Sequence, residues 1–308
     1  MNTFKQISVL CLIVLPVIVF AQPYAEGPKK CKECHEAEYD VWKGSEHFKA
    51  YKAVQKKPEA KEILKAVGTG KSMKKNKVCA TCHFTMFKKS ADKPTKAKAG
   101  PSCESCHGPS SGYLETHNDY GGKNAKAADE TPVHKEQRHA DAIKAGMIWS
   151  FMHYDIAMNC MSCHGLARSD IDAEVFGKLM AAKHPANDKF EFVEYSQGSV
   201  RHRYYPPDET KNAKMSNSEL ARLFIIGQVA KLVSAYAAEK VGTDDAYKAF
   251  QKKRADDART SLSVLTNIPE VQALLDAPSD SAARKLADAI KDKDLSAEVG
   301  SMLPTTYK

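Results

Sequence analysis

Eight of the nine cysteines in this chain fall into four copies of one pattern, Cys-x-x-Cys-His. The copies are Cys31-Lys-Glu-Cys34-His35, Cys79-Ala-Thr-Cys82-His83, Cys103-Glu-Ser-Cys106-His107 and Cys160-Met-Ser-Cys163-His164. This pattern is the attachment signature of c-type haem. Two thiols on one short turn form thioethers to the vinyl groups of a porphyrin, and the histidine that follows supplies an axial nitrogen to iron. Cys31, Cys34, Cys79, Cys82, Cys103, Cys106, Cys160 and Cys163 are therefore the expected covalent anchors of four haems c. His35, His83, His107 and His164 are the expected proximal iron ligands.

The alternatives to haem are weak. Histidine occupies 11 of 308 positions, so four cysteine pairs each followed by histidine would arise by chance on the order of once in a million. Two zinc sites of four cysteines need no histidine after each pair. A disulfide framework would not keep its cysteines in pairs two residues apart.

The ninth cysteine, Cys11, lies in what reads as a secretory signal over residues 1–21. Lys5 forms a short basic region, an apolar run follows from Ile7 to Phe20, and cleavage is expected after Ala21. The run is short for a membrane span, an uncleaved anchor being the alternative. No other segment is expected to approach transmembrane length. Export matches the motifs, since this type of haem attachment takes place outside the bacterial cytoplasm, and the expected location is the periplasm.

The formal charge is +8, or +7 once Lys5 is removed. Eight haem propionates would offset most of it, so the lysines at Lys56-Lys57 and from Lys71 to Lys77 read as solvated faces or propionate neighbours. A nucleic-acid partner is not expected. A lysine-lined surface for an acidic redox partner is compatible with the balance.

Composition divides the mature chain. Residues 22–212 hold every motif and every histidine and read as a tetrahaem domain; residues 213–308 hold neither cysteine nor histidine and read as a helical domain. The expected fold is mainly α: a multihaem cytochrome c with a haem-dominated core and long loops, plus a C-terminal helical bundle. A helix is predicted from Glu36 to about Lys56, weakened at Gly44. Ser216-Asn-Ser-Glu219 is a capping box opening a helix that stops at Gly242. A second helix begins at Thr243-Asp-Asp, Pro269 opens a third, and Ser279 or Asp280 caps a fourth.

Seven histidines lie outside the motifs: His47, His117, His134, His139, His153, His184 and His202. His47, His117 and His202 are the leading candidates for distal iron ligands, His202 because Arg201 and Arg203 suit propionate pairing. His184 and His153 rank next, and His134 and His139 read as members of a polar stretch. Met86, Met152 and Met158 are alternative sulfur ligands, though methionine at such places is usually packing. The spacing does not assign distal histidines to particular irons.

The first motif followed by Trp42-Lys-Gly-Ser-Glu-His47, the third motif continued by Gly-Pro with His117 downstream, and His202 and Tyr204 about forty residues beyond the fourth motif form a recognisable set. Over roughly residues 28 to 205 the chain resembles the cytochrome c-554 type tetrahaem proteins of the multihaem cytochrome superfamily. The resemblance implies stacked haem pairs, bis-histidine irons, and one open iron at the second motif with His83 as its sole ligand. It also implies a role as electron acceptor for an oxidoreductase such as hydroxylamine oxidoreductase. The helical tail from 215 onward departs from the family's shorter chains.

Three functions follow as expectations. The first is a periplasmic carrier passing electrons between redox partner proteins, an oxidoreductase or a quinol-oxidising cytochrome, without itself being an enzyme. The second is a small reductase of nitric oxide or hydroxylamine at an open second iron, with His134, His139 or His153 as proton donors. The third is a structural conduit built from stacked subunits. The sequence leaves oligomeric state open.

Overall fold

The computed structural model describes residues 22–308 other than Thr69 and Lys123; the expected signal segment 1–21 lies outside the described residues. The fold is mainly α. Its one described sheet is a short antiparallel pair, Thr85–Phe87 against Lys96–Ala99.

The second and third motifs sit on short helical turns with a local reason to start there, while the first straddles the end of the helix Pro28–Lys32. Asn76 caps Lys77–His83, its side chain accepting from the Cys79 amide. Ser102 and Ser105 form a reciprocal capping box around Cys103–His107. The fourth motif ends the helix His153–His164. On a helical turn, positions i, i+3 and i+4 share one face, so both thiols and the imidazole of a motif point the same way.

The helix expected from Glu36 to Lys56 is broken. It runs Glu36–Gly44, then restarts as Glu46–Ala53 and continues as a 3-10 turn to Lys56. Ser45 causes the break: its extended backbone ends the first helix, and its hydroxyl caps the second by accepting from the Phe48 amide. The restart carries His47. Gly100 packs so closely behind it that a Cβ there would lie 1.9 Å from the His47 carbonyl oxygen, and the Trp42 indole donates to the neighbouring Pro101 carbonyl (2.8 Å).

The C-terminal helices are Asn217–Val241, Asp245–Leu262, Pro269–Asp276 and Asp280–Ile290. The first opens on the reciprocal Ser216–Glu219 capping box. By length and composition it could cross a membrane, which corrects the expectation that no second segment approaches such a length. Yet 78% of its apolar window is buried inside the protein by neighbouring helices.

The apolar core is continuous across residue 213. Tyr154, Ala157 and Met161 of the fourth-motif helix and Phe190, Phe192 and Val193 pack in one cluster with Leu223, Ile225, Val229 and Leu232 of Asn217–Val241. Each large aliphatic side chain buried there contributes about 1.5–3 kcal/mol. The fourth motif is thus anchored by the C-terminal helices.

Candidate haem sites

Each motif histidine faces one histidine from elsewhere in the chain. The ring centres of His35 and His117 are 6.4 Å apart, those of His47 and His164 5.9 Å, those of His83 and His184 6.0 Å, and those of His107 and His202 6.1 Å. A first-row metal bonded to two imidazoles at about 2.0 Å on each side separates their ring centres by roughly 6 Å. The residues present therefore fit a metal held between the rings of each pair.

The polarity of these histidines suits ligation. The Nδ1–H of His107 donates to the Ile148 carbonyl (2.8 Å), that of His117 to the Leu114 carbonyl (2.7 Å), and that of His202 to the Val200 carbonyl (2.5 Å). A ligating histidine is commonly fixed by such a bond, which keeps Nε2 unprotonated for the metal. Burial, reinforced by His184, pushes His83 down to about 4. Burial, reinforced by His47 and His83, does the same to His164. Both imidazoles are neutral at physiological pH and keep a free lone pair. The Nδ1 of His184 is buried without a hydrogen-bond partner among the described residues.

The pairing distinguishes histidines that spacing could not. His47, His117 and His202, the leading sequence candidates, each stand opposite a motif histidine. His184 does so too, although sequence reasoning ranked it no higher than His153. It reaches its place from the end of the helix Ala173–Ala181. Lys183 takes a left-handed conformation (φ 58°), and the amides of Lys183 and His184 bond back to the Met180 and Leu179 carbonyls. This Schellman turn directs the chain into Pro185. The only sequence signal was a histidine between a helix end and a proline.

The remaining histidines are engaged elsewhere. His134 Nδ1 lies 2.8 Å from Glu130 Oε1, and the His139 ring lies 4.4 Å from Trp149. His153 is half-buried and meets no motif ring. The Sδ of Met152 accepts from the Trp149 amide (3.3 Å), and Met158 packs against the main core. The resemblance implied an open second iron with His83 alone; His184 occupies the opposing side.

The motifs adjoin in a definite order. The Cys31 and Cys103 thiols lie side by side, as do those of Cys82 and Cys163. Asn159, on the fourth-motif helix, donates to the Cys106 carbonyl (3.1 Å). The neighbour sequence is first, third, fourth, second. None of the eight described cysteines is paired in a disulfide. Among the described residues no group of three or more His, Cys, Asp or Glu gathers as a cage for a lone metal ion, so the cysteine pairs do not converge as zinc sites would require.

Charged groups frame the sites. Glu104, inside the third motif, is buried and accepts from the Glu26, Gly27 and Ser110 amides at 2.7–2.9 Å, tying the start of the described chain to that motif. Arg138 pairs with Glu130 (2.7 Å) and donates to the His117 carbonyl (2.6 Å), bracing the residue that stands opposite His35. Arg168 lies 3.7 Å from the Cys163 sulfur and is neutralised by Asp170 in a two-point pair at 2.8 Å.

A mainly α chain with helical Cys-x-x-Cys-His turns and opposed imidazoles defines a c-type cytochrome, with haem c bonded to the polypeptide. Residues 30–108 match the family model described as cytochrome c554 and c-prime. Cytochrome c-554 of Nitrosomonas europaea is 31% identical over 145 residues, a match covering 45% of this chain and 57% of that protein. Through this motif-bearing region the chain is similar to the cytochrome c-554 family. The match thus spans a little over half the length of that relative. No solved structure is significantly similar to the chain.

Proposed function

We propose that the chain is an exported, periplasmic tetrahaem electron carrier that exchanges electrons with protein redox partners. The observation that carries the reading is the set of four imidazole pairs, each about 6 Å apart and each including one motif histidine. When bound, haem c supplies a one-electron couple at its iron.

The chain's own residues would do the rest. Cys31 and Cys34, Cys79 and Cys82, Cys103 and Cys106, and Cys160 and Cys163 would bond the four groups. His35 with His117, His83 with His184, His107 with His202, and His164 with His47 would grip the metals from both sides. Two fixed imidazoles would hold each group in the same way in both redox states, which would keep reorganisation small. They also leave no side on which a small substrate could bind. That arrangement favours a carrier over a reductase of nitric oxide or hydroxylamine at the second motif. The motif order first, third, fourth, second would give electrons a continuous path between opposite ends of the array.

The test uses the secreted, matured protein. Its intact mass should exceed that of the polypeptide by four haems, the ferric spectrum should be wholly low-spin, and the ferrous protein should bind no carbon monoxide. A mass equal to the bare chain would end the haem reading. A high-spin component that binds carbon monoxide would revive the reductase.

A further inference from the structure

Arg254 lies in the middle of the C-terminal helix Asp245–Leu262, yet it is 1% exposed and points into the back of the fourth motif. Its Nη1 donates to the Gly165 carbonyl (3.3 Å) and to Gln251 Oε1 (2.6 Å). Its Nη2 lies 3.4 Å from the Met161 sulfur and 3.3 Å from the Ser234 hydroxyl. Met161 and Gly165 bracket Cys163 and His164. Gly165 makes the approach feasible: a Cβ there would sit 2.3 Å from Arg254 Nη2.

Among the described residues no carboxylate pairs with this guanidinium. Arg168, the other arginine beside the fourth motif, is neutralised by Asp170. Lys231, another buried cation on the facing helix, has Asp257 4.0 Å from its Nζ. Every contact of Arg254 is to a neutral group, in a region where burial weakens solvent screening. Burial lowers Arg254 to about 10, which leaves it charged at neutral pH. Carbonyl capping of the Gly165 turn needs no full charge: the Gln251 amide already donates to Gly165 (2.9 Å) and Leu166 (3.2 Å), and the Tyr247 hydroxyl to Leu166 (2.7 Å).

We infer that Arg254 is a positioning residue for redox potential: a buried, unneutralised cation delivered by the C-terminal helices to favour the reduced state of the haem held by Cys160, Cys163 and His164. The inference rests on the tetrahaem reading above. Reduction adds one electron to that site, and a fixed positive charge nearby stabilises the added negative charge. The only motif that Arg254 touches among the described residues is the fourth, so the effect is expected to be selective for that site. It gives the C-terminal region a functional part in the electron path, with the fourth site as a sink relative to an identical site lacking the cation.

The test is a spectroelectrochemical titration of matured holoprotein, resolved into its four components. Arg254→Met and Ser234→Asp should each move one component to lower potential, by a change in its reduced-to-oxidised ratio on the order of tenfold, and leave the others in place. Ser234→Asp keeps the arginine and supplies the missing counter-ion. Arg254→Lys and Gln251→Met should leave all four components near wild type, since the first preserves the charge and the second removes a carbonyl donor and one neutral acceptor of the guanidinium but no charge. Unshifted potentials in both Arg254→Met and Ser234→Asp overturn the inference. An equal shift in Gln251→Met overturns it in favour of simple capping. Failure of both charge variants to mature, while Gln251→Met matures, assigns Arg254 to folding and also overturns it. Loss of the tetrahaem reading would appear separately, as a wild-type mass or spectrum without four haems.

Discussion

The rings of His83 and His184 face each other across 6.0 Å, although 100 residues separate them in sequence and different elements carry them. His83 ends the second motif helix; His184 hangs from a left-handed turn after another helix. The other three pairs repeat this spacing, which makes the second site equivalent to the rest.

His184→Ala should therefore open one site. The expected signature is a new ferric high-spin component and carbon monoxide binding by one ferrous haem, both absent from wild type. His153→Ala should produce neither change, because His153 faces no motif ring. Identical spectra for His184→Ala and wild type would remove His184 from the ligand set.

Lys183 holds a left-handed conformation with an exposed side chain (φ 58°). A non-glycine residue there costs roughly 1 kcal/mol. Lys183→Gly should stabilise the matured protein by about 0.5–1 kcal/mol in denaturant unfolding and leave the visible spectrum unchanged. A loss of stability would mean that the turn is not the observed Schellman arrangement.

Glu104 satisfies three backbone amides and the Ser110 hydroxyl (2.6 Å) from a buried position. Orphaned buried donors cost about 1–3 kcal/mol each. Glu104→Ala should lower stability by at least about 3 kcal/mol and expose the chain near Glu26 and Gly27 to protease first. Glu104→Gln, which keeps an acceptor, should lose less. Equal stability of wild type and Glu104→Ala would show that the three amides find water instead.

Arg138, followed by His134, holds the Glu130 carboxyl down to about 2. A carboxylate depressed on folding contributes stability that is fully present above its ordinary value near 4.5 and lost as pH falls toward 2. Hydrogen exchange within the helix Pro132–Lys144 should stay slow at pH 5 and quicken between about 4.5 and 2. Glu130→Gln should flatten that dependence. A helix whose protection changes instead between pH 6 and 8 would point to another group.

The sequence by itself determined the cofactor chemistry. Cys-x-x-Cys-His is a local pattern, and one helical turn suffices to set two thiols and an imidazole on one face. The Ser216–Glu219 capping box and the proline at the start of Pro269–Asp276 are equally local and equally legible. The break at Ser45 was less so, because Gly44 drew attention to a weak helix rather than to the serine that starts a new one. His47, His117 and His202 were picked out in the sequence, but their pairing was not, and His184 was beyond local reading: His184 and His153 have similar sequence credentials, and only the packing of distant elements brings one of them to a motif ring. The same holds for Arg254, whose neutral surroundings come from residues far away in the sequence. Opposed imidazoles and buried charges are long-range juxtapositions, fixed by how helices pack, and spacing along the chain carries no record of them.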